Sequence, residues 1–340
     1  MSLRIAFLGA GSIAERHIDA IRGTRAGDVT VVASRTEDKV RSFAEKKSIP
    51  HCTTDALEAL GDPDVDTVVI AYPTFLHADL AIVALQAGKH VVVEKPIAET
   101  VSQAESMIAA ARTARRQLLV CQLRRFWPSY ATIHRAIQSG TFGRIHRMSF
   151  DFQAWWNWAN RGWRIERPGG YFLDMHVHEV DLLSWWAGAS PDGVTAVGTN
   201  VAEGDGVVAL QFEHATGVLT YSGRCYGKTY PAGSTSRAQV EGDLGLAELV
   251  LENGTVRLNT TTSDGVRKEE RTIAEETRTC WSRMWTALAD TIERGAPPPL
   301  TPEEATASLR TTLCAVQSFE NRGASHLADR RVLYSGRTWT

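Results

Sequence analysis

Asp174, His178 and Asp181 follow one another at spacings of four and three in the stretch Gly169–Asp181, Gly-Gly-Tyr-Phe-Leu-Asp-Met-His-Val-His-Glu-Val-Asp. On a helix, residues three and four apart share a face, so these three side chains fall together. His176, two residues after Asp174, projects roughly the opposite way. A carboxylate one turn from an imidazole can fix its tautomer and raise its basicity, the arrangement of a general acid/base. The competing reading is an N-cap aspartate with a structural histidine. The apolar Leu182, Leu183, Trp185 and Trp186 continue the same helix to about Gly188.

A second constellation opens the chain. A short apolar strand at residues 3–9 runs into Gly9-Ala10-Gly11-Ser12-Ile13-Ala14, then a helical pattern to about Thr24, then a β-rich run, Val29–Ser34. Strand, glycine turn, helix and strand in this order are the setting of a dinucleotide fingerprint. Gly9 permits the tight turn, Gly11 lets the backbone approach a pyrophosphate, and Ser12 and Ile13 open the helix whose N-terminus would hold it. Ala14 is the small residue where helix packs on strand. A plain βα turn is the alternative. The second strand ends in Ser34-Arg35, with Lys39 a turn later, where an NAD site usually places a carboxylate for the ribose 2′-hydroxyl. An arginine there supplies charge-assisted bonds to a 2′-phosphate, so NADP(H) is favoured and NAD(H) stays possible.

The alternation continues with strands at 66–71, 90–93 and 118–121 and helices at 77–87 and about 100–115, which argues a parallel, doubly wound sheet. Ligands of such sheets bind outside the carboxyl ends of the strands. One end carries Tyr72-Pro73-Thr74 with His77 nearby, and another Glu94-Lys95-Pro96. A lysine so placed can orient and polarise a substrate oxygen, the alternative being a solvated loop cap.

Composition narrows the class. With 340 residues, 43% of them hydrophobic, the chain can bury a large core, and its length suggests two domains. A net charge of −2 gives no basic field for nucleic acid or an anionic membrane, and no apolar run is long enough to span a bilayer. Five scattered cysteines show neither C-x-x-C spacing nor a disulfide framework, and the N-terminus lacks a signal-peptide layout. A soluble, cytoplasmic protein is expected, with no metal site and no nucleic-acid or membrane partner.

Four motifs, G-A-G-S-I-A at 9–14, Y-P-T-x-x-H at 72–77, K-H-V-V-V-E-K-P at 89–96 and G-G-x-x-x-D-x-x-x-H-x-x-D at 169–181, occur in an order and spacing that resembles the glucose–fructose oxidoreductase and inositol dehydrogenase (Gfo/Idh/MocA) family. The resemblance implies that Lys95, Asp174 and His178 are the catalytic set, that Lys95–Pro96 is often cis, and that a C-terminal open sheet serves oligomerisation. It also places Tyr72, Pro73, Thr74, His77, Glu94 and Lys95 against the cofactor, and Trp163-Arg164 near the nicotinamide. Thr74 stands where the family commonly has Asn, Tyr72 where it has Thr, Pro168 at the first place of a glycine triplet, and His176 where a small residue is common.

The second half adds Arg124 and Arg125 after the last parallel strand, candidates for substrate or cofactor contact with a structural role as the alternative. An indole-rich stretch follows, Trp155-Trp156-Asn157-Trp158, of which one or two could line a sugar pocket. Strand signals at 194–198, 207–212, 218–221, 237–241, 247–251 and 256–258, with turns at Gly217, Gly242 and Asn253-Gly254, predict an antiparallel sheet, and helices are expected at about 279–293 and 302–319. One face of that sheet would lie on helices and the other would need a partner, hence a homodimer or homotetramer.

The expected organisation is α/β: an N-terminal Rossmann dinucleotide-binding domain at 1–122 and a C-terminal α/β domain at 123–340 with a large open, mostly antiparallel sheet and a tail free to pack back on the first. The expected activity, as the resemblance implies, interconverts an alcohol and a ketone on a sugar, sugar derivative or cyclic polyol by hydride transfer. His178 would act as general acid/base, and Lys95, Arg124, Asp174 and His178 would hold the substrate. Rival readings are NAD-dependent glycoside hydrolysis on the same fold and a non-catalytic nucleotide-binding protein.

Overall fold

The structure is a computed structural model that describes residues 2–153, 162, 166–167, 169–200, 205–222, 235–321, 325–326, 332–334 and 336. Contacts divide the chain into two units. One joins Met1–Leu123 with Trp281–Thr306, and the other holds Arg124–Cys280 with Ala307–Thr338.

The first unit is built on six parallel strands: β1 (Leu3–Leu8), β2 (Gly27–Ala33), β3 (His51–Thr53), β4 (Thr67–Ile70), β5 (His90–Glu94) and β6 (Leu118–Cys121), ordered β3-β2-β1-β4-β5-β6. β4 and β6 are buried along their whole length. Strands covered on both faces read as unbroken apolar runs, which is why Val68–Ile70 and Leu118–Val120 lack alternation. Helices α1 (Ser12–Thr24), α2 (Glu37–Lys46), α3 (Ala56–Gly61), α4 (His77–Gln86) and α5 (Val101–Ala114) form the crossovers. α5 starts at a capping box in which Gln103 N donates to Thr100 Oγ1 while Gln103 Oε1 accepts from Thr100 N. The short β3 carries no apolar pattern, two of its three residues being exposed, and the sequence reading passes over it.

The second unit contains α6 (Pro128–Gln138), β7 (Ile145–Gln153), α7 (Gly170–Ala187), β8 (Gly193–Asn200), β9 (Asp205–Gln211), β10 (Thr216–Ser222), β11 (Thr235–Gly242), β12 (Gly245–Glu252), β13 (Thr255–Thr262) and β14 (Gly265–Thr272). α8 (Ile273–Arg294) and α9 (Pro302–Asn321) each have one end in this unit, and β15 (Ser325–His326) completes a nine-stranded sheet ordered β14-β13-β12-β11-β7-β10-β9-β8-β15. Only the β7–β10 pair is parallel. Along β7, Met148, Phe150 and Phe152 are buried and Ser149 and Asp151 are not, the period of two of a one-sided strand. The inward residues pack on Tyr130 and Ile133 of α6, on Phe172, Leu182, Leu183 and Trp186 of α7, and on Ala315 and Val316 of α9. β14 has no sequence signal because it is an edge strand whose Val-Arg-Lys-Glu-Glu-Arg run is almost wholly exposed.

Candidate functional site

In the first unit, the expected nucleotide residues gather at the carboxyl edge of the parallel sheet. Gly9 has φ +130°, and a Cβ there would stand 2.9 Å from Ala71 O just past β4, so the turn from β1 into α1 admits only glycine. Its amide donates to Ala33 O at 2.9 Å, tying the β1 turn to the end of β2. Gly11 is the N-cap of α1 without a side-chain cap, and a Cβ on it would meet nothing within 4 Å. Exposed Gly11, Ser12 and Ile13 leave amide donors of α1 facing open space, the fit a pyrophosphate requires. Ser34 is buried and donates its amide to Thr53 O at 3.1 Å, whereas Arg35 and Lys39 are exposed beside it.

Tyr72 and Pro73 follow β4 and lead into a single 3-10 turn, Thr74–Leu76, in which Thr74 is buried. His77 is 1% exposed, with Nε2 2.9 Å from Tyr72 O and Nδ1 2.9 Å from Pro96 O. It braces the loop that carries Tyr72 against the loop that carries Lys95, so its reach toward a cofactor is through those backbones. The Lys95–Pro96 peptide is cis. Glu94 ends β5 and bonds His17 Nε2 and the Lys95 amide, and Lys95 is half-buried.

In the second unit, α7 is bounded by two left-handed glycines, Gly169 at φ +82° and Gly188 at φ +74°. A Cβ on Gly169 would stand 2.7 Å from Leu173 Cβ, so a side chain is excluded by strain and space together. Asp174 is 8% exposed and His178, one turn on, is half-buried. The other polar residues of α7 are taken up in the interior. His176 Nδ1 lies 3.1 Å from Glu179 Oε2, and its ring packs among Phe152, Tyr171, Phe172 and Tyr221. Glu179 also pairs with Arg124, whose guanidinium lies over the Phe152 ring at 5.3 Å. Arg125 engages Asp181 through two hydrogen bonds. Of the two arginines, Arg125 is thereby structural. Trp163-Arg164, Trp155–Trp158 and Pro168 lie outside the described residues.

His17, Glu179 and Trp285 are not among the residues that the sequence motifs single out. The His-x-x-Glu spacing of His176 and Glu179 was visible as a one-turn pair. His17 and Trp285 carry no local signal, since their contact spans 268 positions.

Comparison with known proteins adds independent evidence. The oxidoreductase family model with an NAD-binding Rossmann fold matches residues 3–122, and the GFO/IDH/MocA C-terminal domain model matches residues 130–248. The 1,5-anhydro-D-fructose reductase of Ensifer adhaerens is 33% identical over 59% of this chain and 61% of its own length. The scyllo-inositol 2-dehydrogenase (NAD(+)) of Bacillus subtilis (strain 168) is 27% identical over 98% of each chain. The crystal structure of an oxidoreductase domain protein from Kribbella flavida superposes with a TM-score of 0.85 at 21% identity, covering 97% of this chain and 100% of that one, a likeness of fold.

Proposed function

The chain belongs to the Gfo/Idh/MocA oxidoreductase family, and from that premise we propose that it interconverts an alcohol and a ketone on a sugar, sugar derivative or cyclic polyol with a nicotinamide cofactor. The observation that carries this reading is the environment of α7. His176, Glu179 and Asp181 are buried in pairs, while His178 is the half-buried imidazole, one turn from the Asp174 carboxylate. A proton-transfer group needs access to its substrate as well as a partner that orients it.

The nicotinamide cofactor supplies the hydride acceptor in oxidation and the donor in reduction. His178 takes the hydroxyl proton in oxidation and returns it to the carbonyl oxygen in reduction. Asp174 holds the His178 ring and bonds the substrate, and Lys95 orients the reacting oxygen and favours its anion. Arg124, held by Glu179 and Phe152, presents a fixed charge to the substrate. Gly9, Gly11, Ser12 and Ile13 would hold the pyrophosphate, and the Tyr72–Thr74 and Glu94–Lys95 strand ends would hold the nicotinamide half. The names of the relatives, an anhydrofructose reductase and an inositol dehydrogenase, support a sugar or cyclic polyol substrate.

Exposed Arg35, just past β2, and exposed Lys39, in the first turn of α2, support NADP(H) over NAD(H). Glu37, the acidic residue nearest Arg35 in sequence, is paired with Arg41 at 2.7 Å. Cys52, Cys121, Cys280 and Cys314 are free thiols, in keeping with the reducing cytoplasm. No helix among the described residues is long and apolar enough to cross a membrane. The outward face of the nine-stranded sheet is the surface for a homodimer or homotetramer. The test is a thermal-shift comparison of NADPH with NADH, followed by a sugar and polyol panel read at the nicotinamide absorbance. Turnover of a polyol or sugar supports the reading; binding of either cofactor with no turnover across the panel, or glycoside cleavage without net absorbance change, rejects it.

A further inference from the structure

One buried cluster of the first unit joins α1, the end of β5 and the second part of α8. Trp285 Nε1 donates to His17 Nδ1 at 3.1 Å, and His17 Nε2 lies 2.9 Å from Glu94 Oε1. The Glu94 Oε2 atom accepts the Lys95 amide at 3.1 Å. Phe7, Trp281 and Trp285 wall the His17 ring at centroid distances of 5.6, 4.7 and 5.6 Å, and the residue is 0% exposed.

Cys121 completes a group of three with His17 and Glu94 whose ligand atoms lie within 4.8 Å of one another, the one such metal-sized group among the described residues. Hydrogen-bond chemistry argues against a metal there. An indole N–H is a donor only, so the Nδ1 atom facing it must present its lone pair. The neutral ring then carries its proton on Nε2 and gives it to Glu94, and no Nε2 lone pair remains for a cation. Burial also pushes the Cys121 thiol well above its ordinary value, away from the thiolate a metal needs. Burial acts to raise the Glu94 carboxyl too, but the interactions with His17 and then Lys95 outweigh it and hold the group below its ordinary value.

We propose that Trp285 and His17 are positioning residues: Trp285 locks His17 as the Nε2–H tautomer, and His17 in turn fixes the orientation of the Glu94 carboxylate that anchors the Lys95 amide. The proposal rests on Lys95 acting in the reaction proposed above, and it adds two residues that no strand-end motif contains. The ring wall prevents His17 from tilting away, so the indole donor at Nδ1 and the carboxylate acceptor at Nε2 select the tautomer together. Without that donor, Glu94 alone would hold the tautomer, and the Nδ1 lone pair would be left without its hydrogen bond.

The test has two arms on the full chain. Long-range ¹H–¹⁵N correlation of the imidazoles, with His17 assigned by its loss in His17→Gln, should show the Nε2–H tautomer in the wild type, and an Nδ1 signal moved downfield in Trp285→Phe, where its donor is gone. This arm needs no substrate. In the second arm, Trp285→Phe should lower kcat about tenfold to a hundredfold with KM changed little. His17→Gln, which keeps an N–H donor for Glu94, should lose less than His17→Leu, and adding Trp285→Phe to His17→Leu should cost nothing further. An Nδ1-protonated His17 in the wild type overturns the proposal, as do additive losses or an unchanged kcat in Trp285→Phe. Failure of the wild type to turn over any sugar or polyol would count against the oxidoreductase reading instead, with the tautomer result standing apart from it.

Discussion

Arg125 and Asp181 form a two-point ion pair sealed from solvent, with Nε 2.7 Å from Oδ2, Nη2 2.8 Å from Oδ1 and each side chain 1% exposed. Ser308 Oγ donates to Oδ1 at 2.9 Å, and the guanidinium lies over the Trp185 and Tyr334 rings. Asp181, which shares a helical face with Asp174 and His178 by spacing, is therefore committed to holding α7 in place. Removing one partner of a buried pair strands the other charge. Asp181→Ala should lower stability by about 3–5 kcal/mol in urea unfolding. A loss under about 1 kcal/mol, the worth of a surface pair, would show that the pair contributes no more than an exposed one.

His178 and Asp181 separate the two roles of one motif. His178→Ala should lower kcat by about 10²–10⁴-fold with saturating cofactor, the usual contribution of a positioned acid/base. Cofactor binding, measured by nicotinamide fluorescence, should change little, because Gly9–Ile13 and Ser34–Arg35 belong to the other unit. Near-normal turnover in His178→Ala would remove His178 from the mechanism.

What the sequence makes legible is what adjacent residues decide. Gly9 and Gly11 after β1, the unbroken apolar strands and the one-turn spacing of Asp174 and His178 are local patterns set by turn sterics and helix period. The partner of Arg125 is 56 positions away, and that of His17 is 268 away. Nothing near Trp285 distinguishes it from the apolar Met284 and Leu288 of the same helix, all of them buried. Buried polar pairs of this kind arise where two distant elements meet, so their chemistry is written in packing and not in spacing. β14 was hidden for the opposite reason, since an exposed edge strand needs no apolar code.

Arg35 carries the cofactor prediction. It stands exposed where β2 ends, a position from which a guanidinium can form charge-assisted bonds to a 2′-phosphate. Arg35→Ala should weaken NADPH binding about tenfold to a hundredfold, the loss of a charged hydrogen-bonding group, and leave NADH binding nearly unchanged. Tighter binding of NADH than NADPH by the wild type would reverse the assignment, and equal weakening of both cofactors would place Arg35 on a shared part of them.

His134 sets an acid limit on the second unit. Its ring stacks on Trp185 at 3.7 Å with 12° between the planes and is 0% exposed. Burial, reinforced by the Arg125 charge, lowers its pKa from the ordinary 6.5 to about 3. The folded chain thus keeps His134 neutral over a range in which the unfolded chain takes up a proton. The stability that depends on the neutral ring is complete above pH 6.5 and is lost as pH falls from there toward 3. Between pH 7 and pH 5 this one group accounts for about 2 kcal/mol of lost stability. His134→Phe keeps a ring against Trp185 without a titrating site, so its unfolding free energy should fall by about 2 kcal/mol less over that interval. Parallel pH profiles for the wild type and His134→Phe would show that His134 is protonated as readily in the folded chain as in the unfolded one.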